Sequence, residues 1–358
     1  MINVNNRTLL FVVFDIHLNA GGERVVANMA NHFIGDGWLV DILSFGRMKS
    51  SKVYDLSDKV KIHYLNTSSN KILQKILAMI KTWLFMSKKK YSYVVAIGSY
   101  PSSILGFAGN RNSICIGTEH LHYYHAPSIW NFIRRFAYPR LTALTVLTQH
   151  DYPILKELNP KTYVIPNALT FLPDVFSSCS QHKFLAVGRL SEVKQFDKLI
   201  RIFSEYIKSE QTWMLDIIGE GSLYSSLQKM IIDYRLENYV RIKPYSNQIE
   251  KEYLNSSILI STSRSEGLPM VMIEAQSYGL PIIAYNCKTG PSDIIIDGRN
   301  GFLIPLDDET MMVERMLELS GNDDLRKIMG ENAKEDAQRF SPGCVYGKWD
   351  ALFEELAH

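Results

Sequence analysis

Cysteine is scarce in this 358-residue chain, and what there is excludes two classes of protein. Cys115, Cys179, Cys287 and Cys344 lie far apart, with neither the paired spacing of a zinc or redox site nor the density of a disulfide-stapled fold. They read as reduced thiols, which places the chain in the cytoplasm. The opening apolar run, Leu9–Phe14, is short, is followed by Asp15 and leads to no small-residue cleavage site. A buried strand is expected there rather than a signal peptide. The GxGxxG dinucleotide fingerprint is missing, as are a DxD-type carboxylate motif and any nucleic-acid motif. No repeat or low-complexity tract interrupts the chain.

With 46% hydrophobic and 21% charged residues, the chain can bury two cores of ordinary domain size. A small net charge of +2 hides a division: residues 1–170 carry 19 Lys/Arg against 9 Asp/Glu, and residues 171–358 carry 20 against 28. A basic first half implies an anionic partner. Without a nucleic-acid motif, that partner is read as a membrane surface or a phosphate-bearing substrate.

Short Val/Ile/Leu-rich runs recur at 9–16, 38–45, 91–98, 113–118, 141–148 and 162–166. A second series follows at 183–190, 214–219, 239–244, 256–263, 280–286 and 301–306. Amphipathic stretches separate them, the pattern of parallel sheets covered by helices on both faces. The polar stretch 173–183 reads as a linker. The expected architecture is therefore α/β, with two doubly wound Rossmann-like domains, 1–170 and 171–342, facing across a cleft. Residues 307–340 read as helical, and 343–358 as a closing helix that packs back on the first domain. Open α/β sheets bind ligands at the carboxyl ends of their strands.

Three segments fall at such ends. Gly21-Gly22-Glu23-Arg24 follows the first strand, before a helix expected near Val25, and suits either a tight turn or backbone approach to a phosphate or hydroxyl. Gly188-Arg189-Leu190 with Lys194 follows 183–190; two cations five apart clamp a diphosphate without a metal, or simply decorate a loop. Glu266-Gly267-Leu268-Pro269 follows 256–263, with Pro269 suited to a helix start and Glu274 two turns further on. Two carboxylates so placed hold sugar or ribose hydroxyls, or serve as a cap and a solvated helical Glu.

In order and spacing these segments, together with Glu119-His120, Pro166-Asn167, Gly219-Glu220-Gly221, Gly290-Pro291-Ser292-Asp293 and Asn300-Gly301-Phe302-Leu303, resemble the family 4 retaining glycosyltransferases of GT-B fold, over nearly the whole chain. The resemblance implies that Arg189 and Lys194 bind the donor diphosphate and stabilise the leaving group. It implies that Glu266, with the amides of Gly267 and Leu268, contacts the donor sugar, that Glu274 holds the ribose, and that Gly188 and Gly219 line the donor site. Gly21, Gly22 and Glu23 then line the phosphate and acceptor region, and His120 sits near carbon 6 of the sugar. Two positions depart from the family pattern: Asp293 replaces a Glu and Pro291 a second Gly, both in a supporting loop.

His120, His122 and His125 form an H-x-H-x-x-H triplet with metal-type spacing. The cations Arg189 and Lys194 already serve a diphosphate, so no metal or other cofactor is expected and His120 is read as a site residue. Lys71–Lys90 is amphipathic, basic and aromatic, too interrupted to span a bilayer; it is either a core-facing helix or one lying on an anionic membrane, peripheral on the inner face of the cell membrane. A second basic and aromatic stretch, 130–136, favours the membrane.

Together these features imply a retaining glycosyltransferase moving a sugar from a nucleotide-diphosphate donor, a UDP-sugar before GDP-mannose. The acceptor implied is a lipid-linked saccharide of lipopolysaccharide, O-antigen or a related surface polysaccharide. A sugar-nucleotide epimerase of the same fold and a non-catalytic sugar-nucleotide-binding subunit are the alternatives.

Overall fold

Among the described residues every strand runs parallel to its neighbours, in two separate sheets. The computed structural model describes residues 7–18, 21–49, 54–66, 71–109, 112–120, 128–245 and 248–358. The chain divides into two units, Met1–Ala168 with Val345–His358, and Leu169–Cys344.

The first unit holds β1 (Thr8–Val13), β2 (Leu39–Ser44), β3 (Lys61–Tyr64), β4 (Tyr93–Ile97), β5 (Ile114–Glu119), β6 (Ala143–Val146) and β7 (Thr162–Val164), in the order β3-β2-β1-β4-β5-β6-β7. Its helices are α1 (Gly21–Gly35), α2 (Lys71–Lys88), α3 (Ser99–Ala108), α4 (Ser128–Ala137) and α5 (Tyr152–Lys156). Central strand β1 shows why its apolar run is continuous. Leu9, Phe11 and Val13 enter a core beneath α1, whereas Leu10 and Val12 enter another beneath α2 and α3.

The second unit holds β8 (Lys183–Val187), β9 (Met214–Ile218), β10 (Val240–Lys243), β11 (Ile258–Ser261), β12 (Ile282–Tyr285) and β13 (Gly301–Ile304), ordered β10-β9-β8-β11-β12-β13. Around them lie α6 (Phe196–Tyr206), α7 (Tyr224–Asp233), α8 (Ile249–Leu254), α9 (Met270–Ser277), α10 (Pro291–Ile294), α11 (Glu309–Gly321) and α12 (Asp323–Ala337). The last helix, α13 (Pro342–Ala357), belongs to the first unit from Val345 onward. Phe353 packs on Phe33, Trp38 and Tyr93 at ring separations of 5.6, 5.3 and 4.5 Å, and the Tyr93 hydroxyl donates to the Phe353 carbonyl at 3.0 Å. Burying one such Phe is worth about 1.5–3 kcal/mol, so this residue alone goes far to seat α13.

Four local features differ from the sequence reading. Strand β3, KIHY, alternates polar and apolar residues at the sheet edge and has no Val/Ile/Leu run to betray it. The helical stretch 307–340 divides at Asn322, whose side chain caps α12 by accepting from the Leu325 amide at 3.0 Å. Pro342 opens α13 rather than separating it from what precedes, as suits a residue without an N–H. Finally, 173–183 is no free linker: the Ser177 hydroxyl donates to the Ser256 carbonyl at 2.6 Å, and buried Arg326 donates to the Cys179 carbonyl at 2.7 Å.

Candidate active site

The predicted donor residues of the second unit gather at the ends of β8, β9 and β11. After β8, Gly188 leaves room for the Lys194 stem; a Cβ there would press on Lys194 Cε at 3.0 Å. Behind it, Gly219 at the end of β9 approaches so closely that a Cβ would lie 1.9 Å from the Gly188 carbonyl oxygen. Only glycine fits this crossing. The Leu190 amide donates to the Glu220 carbonyl at 2.8 Å and its side chain is buried, which pins the loop between the two strands.

Lys194 is held from both sides. The Thr262 hydroxyl donates to the carbonyls of Lys194 and Gln195, each at 3.1 Å, and Gln195 takes the left-handed conformation (φ 51°) just before α6. The Lys194 ammonium then donates to Glu266 Oε1 at 2.6 Å. Both side chains keep some exposure, 22% and 12%, so the pair is reachable by a ligand. Arg189 is exposed.

Glu266 opens the loop that enters α9, with Pro269 as the residue before the helix (φ −73°, ψ 95°) and Met270 the first inside it, one residue later than the sequence suggested. Beneath the loop lies a second one. The Thr289 hydroxyl donates to the Glu266 carbonyl, and Gly290 (φ +95°) passes so near that a Cβ would meet the Gly267 carbonyl oxygen at 2.4 Å. Gly267 and Leu268 are thereby fixed at the start of α9. Pro291 follows as the first residue of α10, where it costs no hydrogen bond, and the Asp293 carbonyl accepts from Arg339 at 2.9 Å. The two departures from the family pattern are thus accommodated by backbone contacts.

Glu274 stands within α9 and accepts from the Tyr253 hydroxyl at 3.0 Å. Tyr253 is buried and stacks on Tyr278 at 5.3 Å, so the bond comes from a fixed donor. Sequence reasoning missed Tyr253 and Thr289, since each acts from an element remote in sequence and carries no motif. Cys287, read from the sequence only as a reduced thiol, has its pKa pushed up to about 11 by burial and the neighbouring Glu266 charge. That thiol stays protonated at neutral pH and is no nucleophile there.

In the first unit, Gly21 and Gly22 form the first turn of α1, which starts four residues before Val25. A Cβ on Gly22 would meet Ile97 at 3.7 Å, while Gly21 faces open space. Burial, with a contribution from Asp15, holds the Glu23 carboxyl above the ordinary carboxylate range. His120 follows β5 and lines a pocket with Asn28, Ile97, Thr118, Asn167 and Trp349. Burial lowers its pKa to about 4, so its ring is neutral at physiological pH. Adjacent Glu119 is buried, with Arg134 at 3.4 Å and the Tyr138 hydroxyl donating to it; burial outweighs both and raises its pKa to about 7. His122 and His125 lie outside the described residues. Among the described residues, the group of side chains with a cation-type donor set is His32, Asp36 and Asp350, on α1 and α13, and none of them belongs to the predicted site.

Residues 177–336 match the family model described as glycosyl transferases group 1. The chain is 28% identical to the amylovoran biosynthesis glycosyltransferase AmsD of Erwinia amylovora, over 96% of this chain and 99% of that protein. It is 24% identical, over 95% and 96%, to a Campylobacter jejuni enzyme, GalNAc-alpha-(1->4)-GalNAc-alpha-(1->3)-diNAcBac-PP-undecaprenol alpha-1,4-N-acetyl-D-galactosaminyltransferase. Sucrose-phosphate synthase from Thermosynechococcus elongatus has a similar fold at 14% identity, with a TM-score of 0.84 over 98% of this chain and 99% of that one. The two parallel sheets are those of the GT-B fold, the second unit carries the match to the group 1 glycosyl transferases, and the chain is a glycosyltransferase acting in polysaccharide biosynthesis.

Proposed function

We propose that the chain transfers a glycosyl unit, with retention of configuration, from a UDP-sugar to a lipid-linked saccharide in the synthesis of lipopolysaccharide, O-antigen or a related surface polysaccharide. The second unit is the donor domain and the first the acceptor domain. The observation that carries the donor assignment is the Lys194–Glu266 pair at 2.6 Å, formed near the start of α9 by the loop after β8 that also carries exposed Arg189. A cation already desolvated against one carboxylate and an Arg free to fork form a receptor for a diphosphate. The released Glu266 carboxylate then accepts from donor sugar hydroxyls, while the amides of Gly267 and Leu268 donate. Glu274, aimed by Tyr253, accepts from the ribose.

In the reaction, the bond from the anomeric carbon to the diphosphate oxygen breaks as the acceptor oxygen bonds to the same face of that carbon. The acceptor proton passes to the departing diphosphate. Arg189 and Lys194 stabilise the charge that develops there, so catalysis is electrostatic and positional and needs no metal cofactor. Neutral His120, with Gly21, Gly22 and Glu23, lines the acceptor region. The lipid-linked acceptor draws support from the undecaprenol-linked saccharide in the name of the Campylobacter relative. On this reading the enzyme works in the cytoplasm, in peripheral contact with an anionic membrane. Incubation with a panel of UDP- and GDP-sugars and an undecaprenol-linked saccharide tests the proposal: one UDP-sugar should give an α-linked or otherwise anomer-retained product, and an inverted product would refute it.

A further inference from the structure

Helix α4 is built inside out. Arg134 is 1% exposed, held 3.4 Å from Glu119, whereas Ile129, Phe132 and Phe136 are 61%, 58% and 50% exposed. Helix geometry joins these facts, because residues advance about 100° each and Phe132 and Phe136 therefore stand about 200° round the axis from Arg134. Seating the guanidinium in the unit forces both aromatic rings outward. Folding alone favours the reverse, so the outward rings call for a ligand.

Neighbouring helices continue the surface. Helix α3 packs against both α2 and α4, and all three cover the same face of the sheet. Helix α2 turns Ile80 and Trp83 to solvent, and α3 adds Phe107, with the Arg140 guanidinium 5.4 Å over its ring. The charge of this region is one-sided. Residues 59–150 contain 12 Lys/Arg and one acidic residue, Glu119, which is buried against Arg134. A surface that exposes aromatic and aliphatic side chains together with Lys88, Lys90, Arg135 and Arg140 is complementary to anionic headgroups over hydrocarbon. Among the described residues no helix is long and apolar enough to cross a membrane, so contact would be from one side.

We propose that the outer face of α2, α3 and α4 docks on an anionic lipid bilayer, Phe132 and Phe136 entering the boundary between headgroups and acyl chains while Lys88, Lys90 and Arg135 meet lipid phosphates. Lys89 contributes less, being 3.8 Å from Asp41. This inference rests on the proposed function only for the reason the enzyme needs a membrane, and it is tested without donor or acceptor.

The experiment is sedimentation of the full chain with phosphatidylglycerol/phosphatidylethanolamine vesicles and with phosphatidylcholine vesicles, at low and high salt. Wild type should bind the anionic vesicles and keep a fraction bound at high salt. Lys88→Gln/Lys90→Gln should weaken low-salt binding by about fivefold per cation removed. Phe132→Ser/Phe136→Ser should lose the salt-resistant fraction, a drop of roughly tenfold or more in partitioning. In wild type, brominated lipids should quench tryptophan fluorescence, and Trp83→Phe should remove most of that quenching, which serves as a check should the Phe variant fold poorly. Equal binding to neutral vesicles, no quenching, or an unaltered salt-resistant fraction in a folded Phe variant would each overturn the proposal. Transfer to a water-soluble acceptor remains a separate readout: its persistence in a variant that no longer binds vesicles separates failure of docking from failure of the enzymatic reading.

Discussion

Lys194 and Glu266 form an ion pair at 2.6 Å although 72 residues separate them, one after β8 and the other after β11. Each strand end alone presents a single charge; together they present a cation that a diphosphate can share and a carboxylate that a sugar can claim. Arg189→Ala and Lys194→Ala should each lower turnover by about 10²–10³-fold, the scale for losing one preorganised charge contact. Wild-type turnover in both would remove the diphosphate clamp from the account.

Tyr253 gives a finer test, because it touches Glu274 and its removal leaves the charges intact. Tyr253→Phe deletes one hydrogen bond of about 1 kcal/mol, so KM for the donor should rise roughly fivefold with kcat little changed. An equal fall in kcat with KM unmoved would show that Glu274 acts in the transition state instead.

The proposed cation clamp predicts metal independence. Transfer should survive exhaustive EDTA treatment at unchanged rate. Loss of activity with recovery on adding Mn²⁺ or Zn²⁺ would turn attention to the histidines near 120–125.

His120 and Glu119 carry opposite linkages to pH. The folded His120 pKa is about 4, below its ordinary value, so its contribution is present above pH 6.5 and is lost as pH falls toward 4. Glu119, raised to about 7, contributes below its ordinary carboxylate pKa and loses that contribution as pH rises through 7. Replacing His120 with Gln removes the first effect only. Melting temperatures measured between pH 7 and pH 5 should therefore fall less in His120→Gln than in wild type. Parallel curves would mean that the ring is solvated.

Legibility in the sequence followed the physics of each element. The buried strands β1, β4, β5, β8, β9, β11 and β12 announce themselves as continuous apolar runs, because both their faces are covered. Edge strand β3 has no such run and passed unread. The glycines at 188, 219 and 290 were visible as residues, yet what each must admit, a lysine stem, a carbonyl or a neighbouring loop, depends on chain segments tens of residues away. Tyr253 was silent for the same reason. In α4 the residues 130–136 suggested a basic, aromatic surface, but a sequence does not say that Arg134 turns inward to a carboxylate and the two phenylalanines outward. That choice is made by Glu119 at the end of β5.

The central claim is that the second unit receives a sugar nucleotide through Lys194 and its partners. Isothermal titration of the full chain with a panel of UDP- and GDP-sugars, repeated on Lys194→Ala, tests it most directly. The account predicts binding of a UDP-sugar without added metal, weakened about tenfold or more in the variant. Failure of every sugar nucleotide to bind the wild-type chain, or equal affinity in Lys194→Ala, would contradict it.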